Sequence, residues 1–135
     1  APFVKLGMSP AKARLSAMAL CACCVVPIVG VNSMHSEWVA VALLSLAAAA
    51  HQGWSANLFT TTSDMFPRSA VGSVTGIGGM AGSVGGILLA TYSGFILQMT
   101  HSYATLFVIA ASAYLAALAI ILLLAPGLTK VELTA

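Results

Sequence analysis

The run Trp38-Val-Ala-Val-Ala-Leu-Leu-Ser-Leu-Ala-Ala-Ala-Ala-His51-Gln-Gly-Trp-Ser-Ala-Asn-Leu-Phe-Thr-Thr-Thr-Ser63 contains no Asp, Glu, Lys or Arg. It is longer than the roughly 20 residues a helix needs to cross the hydrocarbon layer of a bilayer. Its neighbours repeat the pattern: Leu15 to Ser36 and Ser69 to Thr129 are equally free of charged residues. All formal charge resides in Lys5, Lys12, Arg14, Glu37, Asp64, Arg68, Lys130 and Glu132. The 135 residues are 60% hydrophobic and 6% charged, against about 25% charge in a soluble domain. The mean hydropathy is +1.02. So few charges cannot cover the surface of a soluble globule. The net charge of +2 is too small to point to nucleic acid or another polyanion. The composition indicates an all-α integral membrane protein.

Four spans are predicted, at about 14–31, 38–63, 70–97 and 103–125. Polar breaks separate them. Asn32-Ser-Met-His-Ser-Glu37 and Gln98-Met-Thr-His-Ser102 are short loops. Asp64-Met-Phe-Pro-Arg68 carries two charges and a proline, which disfavours helix at Phe66. Pro126-Gly127 ends the last span. A membrane barrel would alternate polar and apolar residues over segments of about ten, and Val39 to Leu44 or Ala116 to Ala125 show no such alternation.

With four crossings, the five basic residues all fall on one side, and the loops at 32–37 and 98–102 hold none. The positive-inside rule places that side, and both ends of the chain, in the cytoplasm. Trp38 and Tyr103 then open spans at the outer interface, where amphipathic rings are favoured. The chain opens Ala-Pro-Phe, without an initiator Met or a recognisable signal peptide, and we expect a fragment of a longer protein. Cys21, Cys23 and Cys24 sit in an apolar run with no His or carboxylate beside them. They read as packing groups rather than a disulfide framework or a metal site.

The third span has glycines at Gly72 and Gly76, and at Gly78, Gly82 and Gly86, each series spaced by four. Such stripes admit a close neighbouring helix. The run Gly76-Ile-Gly-Gly-Met-Ala-Gly82 lacks the preceding strand and following acidic residue of a nucleotide site. No Ser-His-Asp arrangement, paired carboxylates or phosphate loop suggests an enzyme, and no cofactor is expected.

The second span carries the polar centre. His51 and Gln52 lie at its middle, with Asn57 nearly two turns closer to the cytoplasm. Polar groups at that depth are costly against lipid and turn to a bundle interior or a wet cavity. At about 100° per residue, Gln52, Ser55, Ala56 and Phe59 share a face, whereas Asn57 lies on another flank. One ligand cannot meet them all, so some bond neighbouring helices. Trp54 reads as a packing group. We take His51, Gln52, Ser55 and Asn57 as candidate path-lining residues, and Asp64 and Arg68, flanking Pro67, as a candidate cytoplasmic gate.

The segment His51 to Pro67, followed by Val74-Thr-Gly-Ile-Gly-Gly-Met-Ala-Gly-Ser-Val-Gly-Gly86, resembles the C-terminal half of the major facilitator superfamily. Within it the segment looks like the anion:cation symporter branch, most closely the hexuronate (glucuronate and galacturonate) transporters. The pattern of a polar tenth helix, a Ser-Asp-x-Phe-Pro loop and a glycine-rich eleventh helix fits without gaps. The resemblance covers the whole chain, matching helices nine to twelve of a twelve-helix fold, with Phe3 to Arg14 ending the preceding cytoplasmic loop. It implies the C-terminal part of a bacterial inner-membrane carrier. Its two six-helix halves would rock about a midplane site and couple uptake of a sugar acid to protons. The substrate, the proton, the bilayer and the missing N-terminal helices are the implied partners. One departure stands out: relatives often place a polar amide midway along the eleventh helix, where this chain has Gly79-Met80-Ala81.

A complete four-helix protein is the rival reading, either a small exporter or a non-transporting scaffold. An exporter of that kind needs a membrane-embedded Glu in its first span, and the nearest Glu here is Glu37 at a boundary.

Overall fold

The computed structural model describes residues 9–125 and residue 128. Lys5, Lys130, Glu132 and the Pro126-Gly127 stop lie outside the described residues. The fold is all-helical, with α1 (Pro10–Val25), α2 (Glu37–Met65), α3 (Arg68–Thr100) and α4 (Ala104–Leu124). A 3-10 segment, Val26–Ser33, extends α1. The four resulting segments are long and apolar enough to cross a membrane. Helices suit that role because they satisfy their own backbone groups in a medium that offers no hydrogen bonds.

The helix ends are set by local chemistry rather than by hydropathy, so most helices run past the predicted spans. Ser9 caps α1 by accepting from the Lys12 amide at 3.4 Å, and Pro10 occupies the first turn. Phe66 is extended at φ −105° and ψ 147°, as a residue before proline prefers. Pro67 then starts α3. His101 closes α3 in the left-handed region at φ 50°, donating its backbone N–H to Leu97. The 3-10 segment begins where Pro27 removes one amide donor and its ring displaces the carbonyl four residues earlier.

The polar tail of α2 remains helical because its hydroxyls bond inward to their own helix. Thr60, Thr61 and Thr62 donate to the carbonyls of Ala56, Asn57 and Leu58, and Ser63 donates to that of Thr60. No water or partner helix is needed to satisfy them.

The core forms where α1, α2 and α4 meet. One cluster joins Val25, Ile28, Ala47, Ala50 and Ala111, and a second joins Met18, Ala22 and Trp54. Alanine dominates because small residues let membrane helices approach closely and gain dispersion contacts. The tightest point is Gly53, where an added Cβ would stand 3.0 Å from Cys21 Sγ. Gly53→Ala is therefore expected to destabilise the α1–α2 contact by about 1 kcal/mol, the low end of overpacking. Cys21→Ala in the same chain is expected to restore it. Unfolding of the single and double variants in mixed micelles checks this, and simple additivity would refute it.

The glycine-rich α3 does not share in this core. From Gly76 to Tyr92 every residue is exposed, and Ile96 is the buried one. Nothing lies within 4 Å of a Cβ built at Gly72, Gly76, Gly78, Gly82 or Gly86. Within the described residues, close packing is made by Gly53 and the alanines of α1, α2 and α4. No helix among the described residues lies against the stripe.

Candidate functional site

The middles of α1, α2 and α4 converge. Tyr114 is the central residue of Ala104–Leu124, and His51 is the central residue of Glu37–Met65. His51 Nδ1 is 2.5 Å from the Tyr114 hydroxyl. Trp54 stands edge-on to the Tyr114 ring, with centroids 5.4 Å apart and planes at 89°. Trp54 is 7% exposed and packs with Met18 and Ala22, while Cys21 borders the same cluster. Edge-to-face aromatic pairs of this kind add about 0.5–1.5 kcal/mol beyond burial. Tyr114 thus links the packed core to the polar centre of α2.

The predicted polar residues separate into distinct roles. Ala47, Ala50, Trp54 and Thr61 form the buried face of α2. At about 100° per residue, Gln52 lies nearly opposite that face. It is exposed, as are Ala56 and Phe59, and Ser55 is half-buried. Neither Gln52 nor Ser55 has a hydrogen-bond partner among the described residues, whereas the hydroxyls of Thr60 to Ser63 are all satisfied. His51 bridges to α4. Asn57 turns to the packed flank and donates Nδ2–H to Gly53 O at 2.8 Å. Gln52 and Ser55 are thus the unsatisfied pair at the centre of the span.

Asp64 and Arg68 do not pair. Asp64 instead meets Arg14, 2.6 Å away and fifty positions earlier in the chain. The reason is helical phase. α2 continues to Met65, which carries Asp64 round to the flank that Gly53 and Asn57 present to α1, while Arg68 starts α3 beyond Pro67. Arg68 is exposed and in no ion pair among the described residues. A cavity of about 580 Å³ opens beside the Arg14–Asp64 pair, bordered by Ser9, Pro10, Thr61 and Ser63. The Asp64 side chain is 49% exposed, and such pairs contribute about 0.2–1 kcal/mol. Asp64→Asn is expected to lower stability within that range at low salt and to have no effect at high salt. Unfolding midpoints of both chains at two ionic strengths test this. A larger, salt-independent loss would show a buried role.

Two residues of this region, Tyr114 and Arg14, escape a sequence reading of the site. Tyr114 has a signal: a phenol at the midpoint of an otherwise greasy helix needs a partner. Arg14 has none, since it reads equally well as a topology marker. Among the described residues no group of three His, Cys, Asp or Glu side chains converges. No family model, characterised protein or solved structure matches this chain.

Proposed function

We propose that this chain is part of a secondary active transporter that takes up hexuronates or related sugar acids with protons by alternating access. The observation that carries the reading is the pair Gln52, which is exposed, and Ser55, which is half-buried, neither with a hydrogen-bond partner among the described residues. Amide and hydroxyl groups at mid-depth, with no partner among the described residues, suit a wet passage shared with further helices. Their donors fit the carboxylate and hydroxyls of a sugar acid. The uncovered middle of α3 supports the same reading, because further helices of a larger bundle would cover it. We place Arg14 and Asp64 at the cytoplasmic mouth, where the pair ties α1 to α2 and acts as a breakable gate link. Arg68 adds positive charge at that mouth. The bacterial inner membrane is the proposed location.

The test is uptake by a transport-deficient host carrying the full-length gene, with glucuronate and galacturonate supplied singly. Uptake that rises as external pH falls and collapses with a protonophore is expected. Absence of uptake for every uronic acid tried would refute the substrate class.

The uncovered α3 also favours a second reading, a self-contained four-helix membrane protein that covers the glycine stripe by pairing with a copy of itself. A cysteine at Met80, which is 72% exposed, distinguishes the two. Efficient copy-to-copy cross-linking through that position supports pairing, and its absence supports the transporter.

A further inference from the structure

Proton coupling requires a side chain at membrane depth that binds and releases a proton, and this inference rests on the transport reading above. Within the spans, from Leu15 to Ser63 and from Ser69 onward, the described residues include no carboxylate, Lys or Arg except Glu37 at the outer boundary. His35 lies in a connector and His101 caps α3. His51 alone among the imidazoles sits at mid-helix, and imidazole is the side chain that changes charge between about pH 5 and 8.

We propose that His51 is a proton-binding group contributed by this chain and that Tyr114 is the positioning residue that holds it ready. The hydrogen bond between Nδ1 and the Tyr114 hydroxyl occupies one ring nitrogen. Nε2 has no partner among the described residues, and the residue is exposed. With Nδ1–H donating to the Tyr114 oxygen, the Nε2 lone pair is free. An incoming proton forms an N–H bond at Nε2, giving an imidazolium whose Nδ1–H bond to Tyr114 is charge-assisted and stronger. Release breaks that same Nε2–H bond and returns the proton to water or to a substrate carboxylate, leaving the Tyr114 contact intact. Tyr114 is itself held by Trp54, so the acceptor does not wander.

The groups facing His51 leave the charge change to it. Tyr114 is the titratable group from α4. Cys21 and Cys24 are those of α1 that pack on the adjoining clusters. On α2 the nearest charged groups are Glu37 and Asp64 at its ends. The uncovered middle of α3 presents none.

Trp54 reports the event, because it touches Tyr114 and a protonated imidazole nearby quenches indole emission. Trp38 is 84% exposed, so Trp38→Phe removes the second indole without disturbing packing. The full chain with that substitution, in lipid nanodiscs and without substrate, is titrated from about pH 5 to 8. A single-proton change in Trp54 emission is expected. His51→Gln is expected to abolish it, and Tyr114→Phe to shift its midpoint while keeping the ring against Trp54. Emission that is flat with pH, or a titration surviving His51→Gln, overturns the proton site. A midpoint unmoved by Tyr114→Phe overturns the positioning role. Because no substrate is present, an intact titration with no uptake sinks the transport reading alone. Proton-driven uptake with no titration sinks this proposal alone.

Discussion

Gln52→Leu is expected to reduce sugar-acid uptake by about ten- to a hundredfold while leaving the helical fold unchanged. The magnitude follows from one hydrogen bond to a charged group, about 1.5–3 kcal/mol, with each 1.4 kcal/mol worth a factor of ten. The side chain lies opposite the buried face of α2 and holds no partner among the described residues, so a leucine of similar size takes nothing from the core. Against lipid or a neighbouring helix the leucine is, if anything, more comfortable. Initial rates at several substrate concentrations, with expression matched, measure the effect, and the loss should reside in KM. Asn57→Ala is the control. Its amide is spent on the Gly53 carbonyl, so uptake should change little. Normal uptake by the Gln52→Leu protein would mean that the polar centre of α2 is structural.

Trp54→Ala is expected to destabilise the bundle by about 3 kcal/mol, the low end for removing a large buried aromatic. In a bilayer the transfer of the ring out of water contributes nothing to helix association. What remains is dispersion and the empty volume left behind. The indole fills the space between Met18, Ala22 and Tyr114, and alanine cannot reach them. The loss is also expected to loosen Tyr114 and therefore the His51 contact. Far-UV circular dichroism during unfolding in mixed micelles gives the stability change. A cost below about 1 kcal/mol, the level of an ordinary point substitution, would show that the cluster repacks around the gap.

Parts of this molecule are legible before any coordinates. Phe66-Pro67 stops one helix and starts the next for reasons contained in two residues. The polar runs at 32–37 and 98–102 mark where the apolar spans separate, and the helices break beside them. His51 and Gln52 announce themselves because imidazole and amide groups are expensive at the middle of a span. Other parts are not legible. Alanine-rich helices that are apolar all round carry no periodic mark of the inward face, so nothing in Ala47, Ala50 or Ala111 distinguishes them from alanines that face outward. The glycine stripe of α3 points to a close neighbour in a residue pattern, yet the close approach occurs at Gly53, an isolated glycine. Asp64 illustrates the same limit. Arg68 is nearest in sequence, but helical phase and the antiparallel return of α2 along α1 deliver Arg14.

The chemistry of the chain decides how many helices are long and apolar enough to cross a membrane, and which side chains would be out of place in lipid. Those are properties of segments, set by transfer free energies and local backbone limits that need no partner. Which of the misplaced groups are quieted and which are left open is decided in three dimensions. His51 finds Tyr114 sixty-three positions away and Asn57 folds back on its own helix, while Gln52 and Ser55 are left without a partner among the described residues. That division depends on how α1, α2 and α4 are rotated against one another, and rotation is chosen by the fit of small side chains between them.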